Sequence, residues 1–230
     1  VLNVRQPLLL QYYQLLPASA ETAPTFRKGL GKFKRAVEAR YNEASLERLL
    51  DAPAAEVRQG AVLALGLIGS MACNANLAAR LHDEDALVRQ FTDQALWAIW
   101  FRADLPENNE ELQRLIRIRS SEKKAEELEA AFTALIRKAP RFAEAYNQRA
   151  VFHFRHGNLP KAISDCEKAL RLNPYHFGAA SGLGQCFLRQ KKLRAALRTY
   201  RRAARINPNL DGVHEAISSL ERLLGEEGKK

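Results

Sequence analysis

Apolar residues recur along this chain at helical spacing, and no window alternates with the period of two that a half-buried strand needs. The strongest ordering lies between Phe142 and Pro208, where one 34-residue pattern is written twice. Setting Ala143–Pro174 above Phe177–Pro208 places Ala150 on Gly184, Ala162 on Ala196 and Ala169 on Ala203, small residues at which two helices can approach closely. Tyr146, Phe152, Leu170, Phe187 and Tyr200 are the large residues that fill the space between them. Each copy ends in Asn-Pro (Asn173-Pro174, Asn207-Pro208), and a proline cannot continue a helix. The pattern therefore predicts a pair of antiparallel helices per copy. Pro140 lies one full period before Pro174 and extends the punctuation upstream. There, 110–121 and 122–138 read as two more helices, with Phe132 in register with Cys166 and Tyr200. Leu128, in register with Ala162 and Ala196, is too large for a close-approach slot. Downstream, Val213, Ile217, Leu220 and Leu224 predict one amphipathic helix over 210–224, followed by a frayed polar tail over 225–230.

A second pattern occupies 42–103. Val57-Arg58-Gln59 recurs as Val88-Arg89-Gln90, and Ala64-Leu65 recurs as Ala95-Leu96 at the same offset. An acidic turn precedes each copy, with Asp51 in the first and Asp83 in the second. Trp97, Trp100 and Phe101 close the second copy. Three aromatics so close together suit either a platform for stacked bases or a plug over an open end of the helical array, and the plug is the favoured reading. Before residue 42, 25–40 reads as a basic amphipathic helix carrying Arg27, Lys28, Lys32, Lys34 and Arg35. Residues 1–25 are punctuated by Pro7, Pro17 and Pro24 around one helix over 8–16.

The 142–208 unit resembles the tetratricopeptide repeat (TPR), a pair of antiparallel helices. The 42–104 pattern resembles the short HEAT repeat, in which Val-Arg opens the second helix after an acidic turn. The fold expected is all-α: an α-solenoid with HEAT-like repeats over 42–104, a divergent first TPR or adaptor hairpin over 105–141, two TPRs over 142–208, and a capping helix with tail over 209–230. Residues 1–41 form an N-terminal helical segment. The HEAT resemblance implies structural roles for Arg58 and Arg89, with Asp51 and Asp83 as their turn partners.

The TPR resemblance implies a peptide-binding groove lined by the first helix of each repeat. Its positions map onto Glu144, Asn147, Gln148, Val151, Phe154 and Arg155, then onto Gly178, Ser181, Gly182, Gln185, Leu188 and Arg189. The divergent unit adds Gln113, Arg114 and Arg117. Amides and arginines in such a groove can bond an extended backbone and take carboxylates bidentately. Some TPR domains clamp the acidic tail of chaperones through an Asn, a Lys and an Arg. Gln148, Gly178 and Gly182 stand at those positions here, so that clamp is not expected.

Net charge is +10 over 230 residues. Much of it lies between His176 and Leu210, a stretch without Asp or Glu. Within it, Arg194, Arg198, Arg201 and Arg205 share one face of a helix. That stripe is a candidate anion-binding surface, and nucleic acid is the alternative partner it suggests. Cys73, Cys166 and Cys186 have no metal-ligand or redox spacing and read as reduced, buried thiols. His153 occupies an aromatic core position, in register with Phe187, and reads as packed imidazole. No phosphate loop, nucleophile elbow or zinc-protease motif occurs, so neither enzymatic activity, nor a metal, nor a cofactor is expected. No run of about 18 apolar residues spans a membrane. A cytoplasmic location is expected; the apolar stretch over 8–16 followed by Pro17-Ala18-Ser19-Ala20 makes export the weaker reading. The function expected is a non-catalytic scaffold that binds a peptide or helix of another protein, with an acidic one suiting the groove's arginines.

Overall fold

A computed structural model describes residues 9, 13, 23–118 and 124–227. The export reading lies outside these residues, as do the helix over 8–16 apart from Leu9 and Tyr13, the stretch 119–123 and the tail beyond 227. Every regular element among the described residues is helical. The chain divides into two compact units, Val1–Ile99 and Trp100–Lys230.

The first unit holds α1 (Ala23–Glu38), α2 (Glu43–Leu49), α3 (Ala55–Ile68), α4 (Asn74–Ala79) and most of α5 (Ala86–Trp100). Asn42 caps α2 by accepting the Ser45 N–H at 2.9 Å. α3 is buried almost all round, because α1 and α2 both pack on it. Leu9 has no exposed surface and lies on α3 at Gly60, where an added Cβ would sit 3.4 Å from its side chain. Tyr13 donates its hydroxyl to Gln59 Oε1 at 3.0 Å.

α3 also meets α5 at very short range. A Cβ on Gly66 would stand 2.9 Å from the Cβ of Ala95 and 3.1 Å from its Cα. Gly66→Ala is therefore expected to cost about 1–3 kcal/mol through overpacking, although alanine is the better helix former by about 1 kcal/mol. Urea unfolding checks this, and an unchanged or higher midpoint would show that α3 and α5 separate easily.

The turns of this unit are tied by arginines. Arg58 bonds the Asp83 carboxylate bidentately, Nε to Oδ2 at 3.0 Å and Nη2 to Oδ1 at 2.8 Å. Its Nη1 donates to the carbonyls of Ala52 and Pro53, both at 3.0 Å. Arg89, its counterpart in the second copy, donates Nη1 to the carbonyls of Asp83 and Glu84 at 2.8 and 2.9 Å. Both arginines thus reach back five and six residues to the turn before their own helix. Asp51 departs from the expectation, because Arg58 turns towards Asp83 and leaves Asp51 to Arg80 at 3.4 Å.

The second unit is a run of helical hairpins: α6 (Pro106–Arg117) with α7 (Ala125–Lys138), α8 (Ala143–Arg155) with α9 (Leu159–Leu172), and α10 (Phe177–Arg189) with α11 (Leu193–Ile206). α12 (Val213–Glu227) closes the run against α11 through Val213 and Leu220. It continues past Leu224 to Glu227, so the polar tail begins as helix and not as frayed chain. One apolar interior runs from Leu112 to Ala203 and contains Leu128, Phe132, Tyr146, Phe152, Cys166 and Leu170.

The Asn-Pro punctuation has a local cause. Asn173 and Asn207 are extended, as the residue before a proline prefers to be. Each buries its side chain and accepts the N–H two residues on, Tyr175 at 3.2 Å and Asn209 at 2.9 Å, which closes an Asx turn. Ala139 before Pro140 makes the same backbone bond to the preceding helix, 2.9 Å to the Leu135 carbonyl, but has no side chain to close that turn.

Candidate functional site

The groove positions lie along α8 and α10, which are neighbours in the stack. Gln148, Val151, Phe154 and Ser181 are half-buried, whereas Gln185, Arg155 and Arg189 are exposed and Leu188 is 40% exposed. Arg189 does not swing freely. Its guanidinium lies 4.7 Å from the centre of the Phe154 ring, and Nη1 donates to the Phe154 carbonyl at 3.2 Å. That bond gives a second donor, beside the Gly157 N–H, to a carbonyl at the C-terminal end of α8, where a cation is electrostatically favoured. Arg155, the equivalent of Arg189 one repeat earlier, stands at that same end of α8. On α6, Arg114 and Arg117 are exposed, but Arg114 is already held bidentately by Glu111 at 2.7 and 2.8 Å.

Asn147 requires a correction. It is only 4% exposed, and its Nδ2 points to Glu144 Oε1 at 3.2 Å, so of the two neighbouring amides Gln148 is the one that keeps exposed surface. Glu144, also a groove position by resemblance, is wholly buried. Below the groove it accepts from His176 Nε2 at 2.7 Å and from Gln148 Nε2 at 2.6 Å. His176 Nδ1 accepts the Ala179 N–H at 3.1 Å and caps α10, so the proton sits on Nε2 and faces Glu144. Trp100 stacks on the imidazole at 4.3 Å between ring centres, and its ring also meets Phe177 at 5.0 Å. Of the three clustered aromatics, Trp100 is the buried one; Trp97 and Phe101 are half-buried.

Nothing in the sequence reading singled out His176. Its signal was present, a polar residue immediately before the helix that begins at Phe177. Arg149 was missed too. It grips Asp165 with two bonds of 2.8 Å and Thr133 with one of 2.9 Å, joining three successive helices.

The basic stripe is solvent-facing. Arg194, Arg198, Arg201 and Arg205 are exposed, and Ala196, Tyr200 and Ala203 are buried on the opposite side of α11. The four are not equivalent, because Arg201 is paired with Glu221 of α12 at 2.7 Å.

The residues that might have carried chemistry are packed. His153 is buried, and burial holds its pKa below the ordinary imidazole value against the pull of Glu129 and Asp165. Burial, reinforced by Glu43, pushes the Cys73 thiol up to about 12. Cys166 is pushed up by its hydrogen bond with Cys186 and by burial. Cys73 and Cys166 are therefore held as thiols rather than as nucleophilic thiolates. Among the described residues no group of three or more His, Cys, Asp or Glu could hold a metal ion. No described helix is long and apolar enough to cross a membrane.

Residues 141–209 match the tetratricopeptide repeat family model. A TPR repeat-containing protein of Rhizobium etli is 34% identical over 87 residues, which cover 37% of this chain and 43% of that protein. Hsp70-Hsp90 organizing protein 1 of Glycine max is 28% identical over 95 residues, 40% of this chain and 17% of its own length. This chain thus spans less than half of either relative. The Sgt2 TPR domain from Aspergillus fumigatus superposes with a TM-score of 0.50 at 20% identity, covering 56% of this chain and 85% of that domain, a likeness of fold.

Proposed function

We propose that the protein is a non-catalytic interaction scaffold that binds a peptide or helix of another protein across α8 and α10. The observation that carries this reading is Arg189, whose guanidinium is fixed over Phe154 by stacking and by one hydrogen bond. A guanidinium held in place loses little freedom when it takes a ligand carboxylate or carbonyl, and its remaining N–H groups are still available. Gln185 and Ser181 supply the acceptors and donors that an extended backbone needs, Leu188 and Phe154 the apolar contact, and Arg155 a second cation one repeat away. Arg114 and Arg117 would extend the surface onto α6. The relatives include proteins named as Hsp70-Hsp90 organizers. Gly178 and Gly182 leave this groove without the cations of a chaperone-tail clamp, so the partner we propose is a different protein segment.

We propose further that 42–104 is a pair of short HEAT repeats offering a second docking surface. The support is the shared geometry of Arg58 and Arg89, each bonding the two carbonyls five and six residues before it.

The groove reading is tested by Arg155→Glu combined with Arg189→Glu. Affinity capture of the main partner should be abolished while the circular-dichroism spectrum is unchanged. Capture at wild-type level would remove the groove assignment.

A further inference from the structure

The start of α11 and the end of α12 bound an open cleft of about 410 Å³ lined by Lys191, Lys192, Arg194 and Arg198, with Leu193 and Leu224 as its apolar walls. All four cations are exposed, and none of their side chains has an acidic partner among the described residues. Several other arginines are paired. Arg58, Arg80, Arg114, Arg149, Arg171 and Arg201 each face a carboxylate. Among the described residues the charge at the cleft is therefore left unbalanced.

The preceding repeat supplies an internal comparison. Where it turns from its first helix to its second it has Gly157, at φ 76°, and Asn158, whose Oδ1 accepts the Lys161 N–H. The corresponding residues are Lys191, at φ 57°, and Lys192, which makes no side-chain cap. A lysine in the left-handed region is strained, and a lysine at the cap position forgoes a bond that asparagine makes. Both positions thus give up local stability and gain a cation.

The chemistry of the lining indicates the occupant. Lysine and arginine side chains are donors without acceptors, and leucine and alanine have neither. A peptide brings N–H donors that need acceptors, which the α8–α10 groove has and this cleft lacks. A phosphodiester backbone presents acceptors and charge alone. The cations also continue beyond the cleft through Arg201 to Arg205 on a helix of 14 residues, a track of about 20 Å at 1.5 Å per residue. We propose that this cleft and the exposed side of α11 bind the phosphate backbone of a nucleic-acid strand, by charge and without reading its bases. Guanidinium groups suit phosphate oxygens, and the cleft lining, which carries no side-chain acceptor, lacks the usual means of reading adenine or cytosine amino groups.

Fluorescence anisotropy of a labelled oligouridine of about 20 nucleotides with the full chain tests this. Binding should be measurable at about 50 mM salt and fall steeply by about 200 mM. Each phosphate contact on a single strand contributes about 0.7 to the log–log salt slope, so K191G/K192N/R194A/R198A should lower the slope by up to about 3 and weaken binding at least about tenfold at low salt. K191G/K192N alone should weaken binding while raising Tm by a few degrees, which separates loss of charge from loss of fold. Three results would overturn the proposal. They are no binding by the wild type at low salt, equal binding by the fourfold variant, or displacement of the oligonucleotide by a glutamate-rich peptide at equal charge, which would make the cleft a carboxylate site.

Discussion

Arg58→Ala is expected to cost the fold about 3–5 kcal/mol, the range for breaking a buried ion pair from one side. The side chains of Arg58 and Asp83 are 6% and 3% exposed, so the substitution strands a carboxylate away from water and leaves the carbonyls of Ala52 and Pro53 without a donor. Arg89→Ala removes bonds to the carbonyls of Asp83 and Glu84 and should cost less, about 1 kcal/mol per hydrogen bond, although the two arginines occupy equivalent places. Acid should narrow the gap between the two variants. Burial alone would raise the Asp83 pKa, but the Arg58 hydrogen bonds, the Asp85 N–H and the charges of Arg58 and Arg80 outweigh it and hold the carboxyl below its ordinary value. The stability this contributes is present above the unfolded pKa, about 3.9, and is lost as pH falls through the folded value. In Arg58→Ala the main opposing forces are gone and burial raises the carboxyl instead. The deficit against wild type should then shrink as pH drops through about 4. Urea unfolding at neutral and acid pH measures it; a deficit that grows in acid would mean that Asp83 is not the stranded group.

His176→Ala should be nearly as damaging, about 3–5 kcal/mol, for three reasons that act together. It removes the donor to a Glu144 carboxylate that has no exposed surface, the cap on α10, and the ring against which Trp100 stacks. His176→Asn restores a capping oxygen and should recover only about 1 kcal/mol. Urea unfolding followed by circular dichroism reads both, and full recovery by asparagine would show that the cap alone matters.

Much of the fold was legible because its grammar is periodic. The small positions Ala150, Gly184, Ala162, Ala196, Ala169 and Ala203 are buried where the repeat register placed them, and Cys166, His153 and Tyr200 lie in the packing. The helix over 25–40 proved to begin at Ala23 and end at Glu38, and the capping helix at 210–224 to run from Val213 to Glu227. Ends depend on individual capping bonds, which periodicity does not encode. The candidate groove was legible as a set of positions but not as a set of free side chains. Resemblance placed Glu144 and Asn147 in it; the structure turns both inward, because His176, one repeat later, provides a buried donor that Glu144 satisfies. Likewise, four arginines at one spacing on α11 read as equal. Glu221, on the next helix, makes Arg201 different from the others. Partners that distant in sequence leave no trace in a local pattern.

Trp100 on His176 also bears on how the second unit comes apart. In a simple repeat array each hairpin touches its neighbours, and the stack can open one hairpin at a time. The Trp100–His176 contact joins the first residue of the unit to the cap of α10 and spans both the α6–α7 and the α8–α9 hairpins in sequence. Forming it means closing a long loop, an entropy cost that grows only as the logarithm of loop length. Once closed, it should couple α6 to α10, because the intervening hairpins are then held at both ends. His176→Ala should therefore broaden the unfolding transition as well as shift it, with the array melting in steps where the wild type melts as one.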